Sequence, residues 1–178
     1  MPVLPVRIYG DPCLKVKSTP VETITPEILT LLRDMGETLY VKHGVGLAAS
    51  QVGVNLRIFV MDTDWTDHDD GEELGPRNLR VFINPEIVWE SEEDGPYSEG
   101  CLSVPGIEAD VYRPLSVRLR WMDEKGKMRE EQLEDLSARC AQHELDHLNG
   151  ILFVDRLPFT KRTLLAGKLR KLKDMAAH

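Results

Sequence analysis

Two histidines and a glutamate near the carboxyl end of the chain have the spacing of a metal site. They stand in His143-Glu144-Leu145-Asp146-His147, where the histidines are four residues apart. On a helix this spacing puts both imidazole rings on one face, one turn apart, so that they can bind the same ion. Glu144 follows the first histidine and can reach a water molecule on that ion without being a ligand. The motif therefore predicts a metal centre that activates water.

Two histidines leave such a centre incomplete, because a catalytic site needs a third protein ligand and an open position for water. No histidine follows the motif before His178, and residues 154–178 contain no glutamate, so the third ligand must precede the motif. The candidate is Cys101, whose neighbour Gly100 leaves room for close approach. A lone cysteine is more often an inert buried side chain, but a helix that lacks one ligand favours ligation.

A third segment, Gly44–Gln51, combines small residues with one amide side chain. It reads Gly-Val-Gly-Leu-Ala-Ala-Ser-Gln, so other backbone can approach closely, and Gln51 supplies an amide donor. The segment lacks the Lys-Ser/Thr ending of a P-loop, which disfavours phosphate binding. Taken alone, it indicates only tight packing behind a helix.

Together, the three segments resemble those of the peptide deformylase family, whose members remove the formyl group from nascent N-formylmethionyl peptides. The family motifs G-x-G-x-A-A-x-Q, E-G-C-L-S and Q-H-E-x-D-H are complete and in order at Gly44–Gln51, Glu99–Ser103 and Gln142–His147. The resemblance covers nearly the whole chain. It predicts a metal-dependent hydrolase that acts on a linear amide.

The resemblance also implies a role for each candidate residue. It implies that Cys101, His143 and His147 bind the metal and that Glu144 is the acid/base. The Gln51 amide and the Leu102 backbone N–H would stabilise the oxyanion that forms on the formyl group. The methionine side chain would occupy a pocket lined by Val45, Gly46, Glu99, Leu136, Cys140 and His143.

The choice of metal rests on the resemblance, since ligand types favour a different ion. In the general affinity order, zinc binds a given nitrogen and sulfur site more tightly than ferrous iron does. The resemblance instead implies Fe(II), and we expect one such ion per chain, with zinc, nickel or cobalt as substitutes.

Two departures from the family pattern lie in the substrate site. Many members have Gly-Leu-Leu-Ala-Arg before the third motif, where this chain has Asp135-Leu136-Ser137-Ala138-Arg139. Some members bind the substrate backbone through an arginine shortly after the second motif, and Glu108 lies near that position here. Arg113 is the candidate substitute.

Periodicity predicts the elements that hold these motifs. Thr25-Pro26 is typical of a helix start, and apolar residues continue at helical spacing until Gly44. Short apolar or alternating stretches predict strands at Leu56–Asp62, Arg80–Asn84 and Leu115–Trp121. The last of these leads into a predicted hairpin turn at Asp123–Lys127.

A helical period returns at Asp135 and ends at Gly150. Leu136 and Cys140 share one face of this helix with both histidines, so we expect the rings to point inward. A last helix follows, with Leu165, Leu169, Leu172 and Ala176 at helical spacing. Because helices and strands do not alternate regularly, we predict an α+β fold with antiparallel strands around the central motif helix and a C-terminal helix.

Length and charge exclude several classes of protein. The chain has 178 residues, which fits a single catalytic domain over residues 1–178. Its 22 basic and 30 acidic residues give a net charge of −8, which disfavours DNA binding. Its apolar runs fall far short of the ~20 residues of a membrane span, and no secretory signal opens it. We expect a cytoplasmic protein without a membrane partner.

Two stretches of the chain have a local concentration of one charge. Asp62–Glu73 holds seven acidic residues and is interpreted as a solvated loop rather than a cation site, since its spacing does not match a calcium-binding loop. Residues 160–178 hold six basic residues and one acidic residue. The latter form either a solvated helix face or, as the resemblance implies, a basic surface for transient ribosome contact.

Three other functions are compatible with parts of the pattern. A metallopeptidase would cut internal peptide bonds, and a related binding protein would hold metal or ribosome without turnover. A structural zinc protein is disfavoured, because closed zinc sites have four protein ligands and the sequence offers three.

Overall fold

A computed structural model of the chain describes residues 2–67, 73–74 and 76–177. The α-helices of these residues are α1 (Pro26–Val41), α2 (Asp135–Leu148) and α3 (Phe159–Ala176). The strands are β1 (Gly46–Ala48), β2 (Ile58–Met61), β3 (Thr66–Asp67), β4 (Glu73–Leu74), β5 (Arg80–Glu90), β6 (Asp94–Cys101), β7 (Val104–Pro114), β8 (Ser116–Met122) and β9 (Met128–Glu134). Every strand pair is antiparallel, so the predicted α+β class is confirmed.

The largest sheet has five strands in the order β1-β2-β5-β8-β9, and each of its faces carries one helix. Side chains alternate between the faces of a strand, and β2 shows the division. Phe59 and Met61 pack in the core that contains α2, whereas Ile58 and Val60 pack in the core that contains α1. The sheet is therefore apolar on both faces in its centre, and α2 is held against one of them.

Aromatic side chains of the sheet form the base on which α2 lies. The rings of Phe59 and Phe82 stack with centroids 4.5 Å apart, and Trp121 lies 4.7 Å from Phe82. Ala141, Leu145 and Leu148 of α2 belong to the same buried cluster. Burying large aromatic rings is among the strongest sources of packing energy in a domain, so this contact fixes the position of the motif helix.

The predicted helix starts and stops agree with the structure. The Thr25 side chain accepts a hydrogen bond from the Ile28 backbone N–H at 3.3 Å, as expected for the residue that caps α1. At the predicted end of the histidine-motif helix, α2 ends at Leu148, and Gly150 has a φ of +76°. A side chain at Gly150 would also collide with the Lys15 backbone, since its Cβ would lie 2.5 Å from that carbonyl oxygen.

A separate two-stranded ribbon, β6–β7, was not predicted from the sequence. Its inner face carries Ile107, Ala109 and Val111, which pack with Phe153 and with Leu169 of α3. The ribbon holds Glu99–Cys101 at the end of β6, so it delivers the second motif to α2.

β5 is longer than the predicted strand, Arg80–Asn84. Asn84 has a φ of +51°, and the register against β8 shifts between Ile83 and Glu86, which marks an irregularity instead of a strand end. The Asn84 amide donates to the Val21 carbonyl at 2.9 Å and accepts from the Val21 N–H at 2.8 Å. Asn84-Pro85 is thus a kink that secures the N-terminal segment.

The acidic stretch Asp62–Glu73 falls partly outside the described residues, which omit 68–72. Within the described part, the interpretation as a solvated loop is wrong for Asp62. This carboxylate is fully buried and accepts hydrogen bonds from the Tyr40 hydroxyl at 2.6 Å and from the Trp65 N–H at 3.0 Å.

The predicted C-terminal helix is confirmed as α3, and it rests on the ribbon core through Leu169 and Leu172. Its six basic side chains are all exposed. None of the helices in the described residues has the length and apolar character needed to cross a membrane.

Candidate active site

The three predicted metal ligands come together from two elements. Cys101 is the last residue of β6, and His143 and His147 lie one turn apart on α2. One donor atom of each residue lies within 4.8 Å of the others, and Cys101 Sγ is 3.3 Å from His147 Nε2. One sulfur and two nitrogens at such distances form a donor set that suits zinc or a first-row transition metal.

The electrostatics of His147 and Glu144 fit a bound cation. Both side chains are buried, and His147 Nδ1 and Glu144 Oε2 have no hydrogen-bond partner within the described part of the chain. Burial, together with the charges of His143 and Arg113, holds the pKa of His147 well below its ordinary value, so the ring is neutral and can donate a lone pair. Buried polar atoms normally have partners, so the orphaned carboxylate oxygen beside the donor set indicates an absent group.

Glu144 has the environment of a group that exchanges protons near neutrality. Burial raises its pKa to about 7, even though the neighbouring His143 favours the charged form. Its Oε1 lies 3.9 Å from His143 Nε2. A carboxyl group with such a pKa, adjacent to a metal site, can both accept and return a proton.

A series of buried ion pairs orients the His143 ring through its Nδ1 atom. The His143 Nδ1–H donates to Glu99 Oε1 at 2.9 Å, and Arg113 donates to both Glu99 oxygens at 2.7 and 3.0 Å. Burial alone would raise the pKa of Glu99, but the hydrogen bonds from His143 and Arg113 lower it to about 2. Glu99 is therefore a carboxylate that fixes the ring orientation, as partners of metal-binding histidines commonly do.

The chain of ion pairs continues to the protein surface. Arg113 Nη1 donates to Asp146 Oδ2 at 2.9 Å, and Arg156 donates two hydrogen bonds to Asp146, at 2.5 and 2.7 Å. Arg113 is only 3% exposed and both its partners are carboxylates. The interpretation of Arg113 as a substrate-binding substitute is therefore wrong, because its guanidinium is committed to Glu99 and Asp146.

Gln51 and Leu102 both lie beside Cys101 and line the same cavity. The Gln51 carbonyl oxygen accepts from the Ala48 N–H at 2.9 Å, which fixes the amide so that its Nε2 lies 3.5 Å from Cys101 Sγ and 3.1 Å from Ser103 Oγ. Leu102 is the first residue of the turn after β6. The three segments that carry the motifs thus meet around one thiol.

An open cavity of about 640 Å³ leads to the donor set. All six residues expected to line the methionine pocket face it: Val45, Gly46, Glu99, Leu136, Cys140 and His143. Gly46 has to be small, since a Cβ there would lie 2.6 Å from Cys140 Sγ and 2.9 Å from Glu144 Cγ. The cavity is also lined by residues that the sequence did not indicate, including Tyr97, Ile107 and Arg139.

The two unusual residues before the third motif are not part of the cavity wall. Ser137 shares a hydrogen bond of 2.9 Å with Thr63, and Asp135 is exposed at the start of α2 with a φ of +50°. Leu136 lies between them and does line the cavity.

This fold and this site define a metal-dependent hydrolase, with two histidines and a glutamate on a buried helix. Residues 3–163 match the family model of polypeptide deformylases, and the chain belongs to that family. It removes the N-formyl group from nascent peptides in a metal-dependent reaction, which is the function of the family.

Relatives and solved structures agree with this assignment. The chain is 49% identical to a peptide deformylase of Novosphingobium aromaticivorans, over 93% of this chain and 95% of the relative. It is 46% identical to that of Nitrobacter hamburgensis, over 99% of both. The crystal structure of a peptide deformylase from Legionella pneumophila has a TM-score of 0.85 at 39% identity and covers 99% of both chains. The corresponding structure from Thermotoga maritima has a TM-score of 0.80 at 36% identity, over 89% of this chain and 99% of that one.

Proposed function

We propose that Cys101, His143 and His147 hold one divalent metal ion and that Glu144 moves the proton during deformylation. The observation that carries this proposal is the meeting of three donor atoms within 4.8 Å beside Glu144, whose buried Oε2 has no hydrogen-bond partner among the described residues. A divalent ion supplies a Lewis acid, which makes water more acidic and polarises a carbonyl oxygen. The residues of this chain transfer the proton, stabilise the oxyanion and bind the methionine side chain.

Glu144 acts twice in the reaction. As a water oxygen bonds to the formyl carbon, Glu144 accepts the proton that the water loses. When the bond between carbon and nitrogen breaks, the same carboxyl group gives that proton to the leaving amine, which could not depart as an anion. Formate and a peptide with a free N-terminal methionine result.

Gln51 and the Leu102 N–H stabilise the oxyanion that forms on the formyl oxygen. The Gln51 amide is locked by the Ala48 N–H, so its Nε2 is oriented before substrate arrives. Donors that need no reorientation stabilise a developing charge most effectively.

The methionine side chain occupies the apolar part of the cavity. Val45, Gly46, Leu136 and Cys140 give this wall its apolar character. Glu99 also faces the cavity, but its carboxylate is paired with Arg113, so the methionine side chain does not cover an unpaired charge.

A formate assay tests this proposal directly. The metal-loaded protein should release formate from formyl-Met-Ala-Ser, and a chelator should stop the reaction. A longer peptide without a formyl group is the control: its cleavage at an internal bond would indicate a metallopeptidase instead. Metal binding without formate release would indicate a binding protein without turnover.

Fe(II) is the ion we propose for the active protein, with zinc, nickel or cobalt as substitutes. A thiolate ligand on a redox-active ion is open to oxidation, and Cys101 can itself be oxidised. The iron form should therefore lose activity in air faster than the nickel form, and anaerobic purification followed by metal analysis should find one iron per chain. Equal half-lives of the two forms in air would contradict the assignment of iron.

The remaining proposals concern where the protein works. Residues 1–178 would act as one catalytic domain in the cytoplasm, where nascent peptides emerge. The exposed basic residues of α3 would make transient contact with the ribosome, since lysine and arginine bind phosphates through contacts that weaken with salt.

A further inference from the structure

The Gln51 side chain has a partner for each of its polar atoms before substrate arrives. Its Oε1 faces the Ala48 backbone N–H at 2.9 Å, and since an N–H can only donate, the atom opposite it has to be the amide oxygen. Its Nε2 carries two hydrogens and has two partners, Ser103 Oγ at 3.1 Å and Cys101 Sγ at 3.5 Å. One N–H therefore faces the donor set, and the other donates to a hydroxyl that no step proposed above uses.

The hydrogen bond between Gln51 and Ser103 is shielded from solvent. Ser103 is fully buried, and Gln51 is only 1% exposed. Leaving a buried N–H without an acceptor is strongly unfavourable, so the amide is held with this N–H on the hydroxyl. Ser103 does not line the active-site cavity, whereas Gln51 does. Any influence of Ser103 on the reaction therefore has to pass through a neighbour, and Gln51 is the neighbour that its hydroxyl contacts.

The N-terminal segment fixes the backbones of these two residues relative to each other. The Arg7 N–H donates to the Gln51 carbonyl at 2.7 Å, and the Tyr9 N–H donates to the Ser103 carbonyl at 2.8 Å. Gln51 and Ser103 are 52 positions apart in the sequence, yet one short segment bonds to both. The Ser103 hydroxyl is thus attached to a backbone whose position relative to Gln51 is set, as a positioning role requires.

We propose that Ser103 is a positioning residue of the oxyanion site. Its hydroxyl holds one N–H of the Gln51 amide, so that the other N–H faces the formyl oxygen of the substrate. The proposal rests on the deformylase function and on the role of Gln51 proposed above. Without the hydroxyl, the Ala48 N–H and the long contact to Cys101 remain as the only restraints that the structure shows on the amide. Oxyanion stabilisation then weakens, because it depends on donors that are oriented in advance.

Ser103→Ala tests this role, because it deletes the hydroxyl and leaves the backbone bonds of the N-terminal segment in place. With formyl-Met-Ala-Ser as substrate, we expect kcat of the metal-loaded variant to fall by about 10- to 10²-fold. Removing the donor itself, in Gln51→Ala, should cost about 10²–10³-fold. KM and metal content should stay near the wild-type values in Ser103→Ala, since the methionine pocket and the proposed ligands are unchanged. An unchanged kcat would overturn the proposal.

Ser50→Ala is the matched control. Ser50 is also fully buried and precedes Gln51 in the chain, and its Oγ has no hydrogen-bond partner among the described residues. This variant removes the same atom from a similar environment without releasing the Gln51 amide, so its kcat should stay at the wild-type level. An equal loss of kcat in the two serine variants would assign the effect to packing and overturn the proposal.

A double-mutant cycle separates positioning from a general effect on the fold. If Ser103 acts through Gln51, Ser103→Ala should cause little further loss of kcat in a Gln51→Ala background, because the group that it orients is gone. The same fold-loss in both backgrounds would indicate a structural role and overturn the proposal. Circular dichroism and metal analysis check that each variant is folded and loaded.

Nuclear magnetic resonance of the zinc-loaded wild-type protein gives a readout that needs no variant of Ser103. One of the two Gln51 side-chain amide hydrogens should show the downfield shift of a hydrogen-bonded proton, and the loss of both signals in Gln51→Ala assigns them. Two hydrogens with the shifts of a free amide would overturn the proposal even if Ser103→Ala failed to fold.

Wild-type activity separates this proposal from the underlying function. If the wild-type protein releases formate and Ser103→Ala is equally fast, only the positioning role is wrong. Full activity of Gln51→Ala would remove both Gln51 and Ser103 from the oxyanion site. If the metal-loaded wild-type protein releases no formate, the proposed function itself fails.

Discussion

α2 and α3 differ in how the protein treats their charged residues. Ten of the fourteen residues of α2 are buried, including Arg139, Glu144, Asp146 and His147. Only two of the eighteen residues of α3 are buried, and both are leucines. The basic side chains of α3 are in water and need no partner, whereas each buried charge on α2 has to be compensated inside the protein.

The need to compensate these buried charges explains why α2 is linked to neighbouring elements by ion pairs. Glu99, Arg113, Asp146 and Arg156 form successive ion pairs that begin at His143 and reach the surface. Charges buried in pairs contribute little net stability, but removing one member leaves its partner uncompensated. Substitutions on the two helices should therefore have very different consequences.

Loss of a proposed metal ligand should have the largest effect. In Cys101→Ala or His147→Ala, two remaining ligands hold a divalent ion poorly, so tight metal binding and activity should both be lost. Cys13→Ala is a matched control, because Cys13 is a half-buried thiol that donates to the Ser50 carbonyl at 3.4 Å. Metal analysis after dialysis decides: stoichiometric metal in either ligand variant would contradict the assignment.

Substitution of Glu144 should have the second-largest effect and should separate turnover from metal binding. Glu144→Ala is expected to keep its metal but to lose about 10²–10⁴-fold in kcat, the usual contribution of a general acid/base. Metal content and formate release are measured on the same preparation. Near-normal turnover would remove Glu144 from the mechanism.

Breaking the ion-pair chain should cost stability and weaken metal binding. Arg113→Met leaves the Glu99 and Asp146 carboxylates buried without their shared partner, so we expect a loss of about 3–5 kcal/mol in the free energy of unfolding. Metal affinity should fall about 10–100-fold, because Glu99 no longer fixes the His143 ring. Denaturant titration and competition with a chelator measure the two effects.

A surface pair of the sheet supplies the control for this substitution. Arg118 pairs with Glu130 at 2.7 Å, and both side chains are about 40% exposed. Arg118→Met should cost no more than about 1 kcal/mol, since exposed pairs contribute little. A similar loss in the free energy of unfolding in both variants would show that burial does not make the Arg113 ion pairs more important for stability than the Arg118 pair.

Charge reversal on α3 should have the smallest effect on the enzyme itself. Lys168→Glu and Lys171→Glu together should leave the hydrolysis of formyl-Met peptides unchanged and reduce cosedimentation with ribosomes at low salt. Lys173 is kept, because its side chain packs against Gly10. Circular dichroism checks the fold, and unchanged cosedimentation would leave α3 with a structural role only.

The sequence predicted those parts of the molecule whose signals are local. Thr25-Pro26 and Gly150 mark helix ends through backbone chemistry, and the spacing of His143 and His147 fixes their common face. These features need no knowledge of distant residues, and the structure reproduces each of them.

The sequence did not predict features that depend on distant partners. β6 contains Gly95, Pro96 and several polar residues, so its pairing with β7 has no clear pattern of its own. Arg113 is ambiguous for the same reason, since only the fold brings Glu99 and Asp146 to it. The alternation of Ile107, Ala109 and Val111 places Arg113 on the inner face of β7, and this was the available signal.

Gly46 has a consequence for inhibitors of this enzyme. Any side chain at that position would meet Cys140 and the stem of Glu144 at 2.6–2.9 Å, so a larger residue would displace the carboxyl group that we propose as the acid/base. Resistance to a bound drug often arises when a pocket wall grows and excludes the compound. Against a compound that packs on Gly46, we expect this escape route to be closed, because the substitution that repels the drug would also inactivate its target.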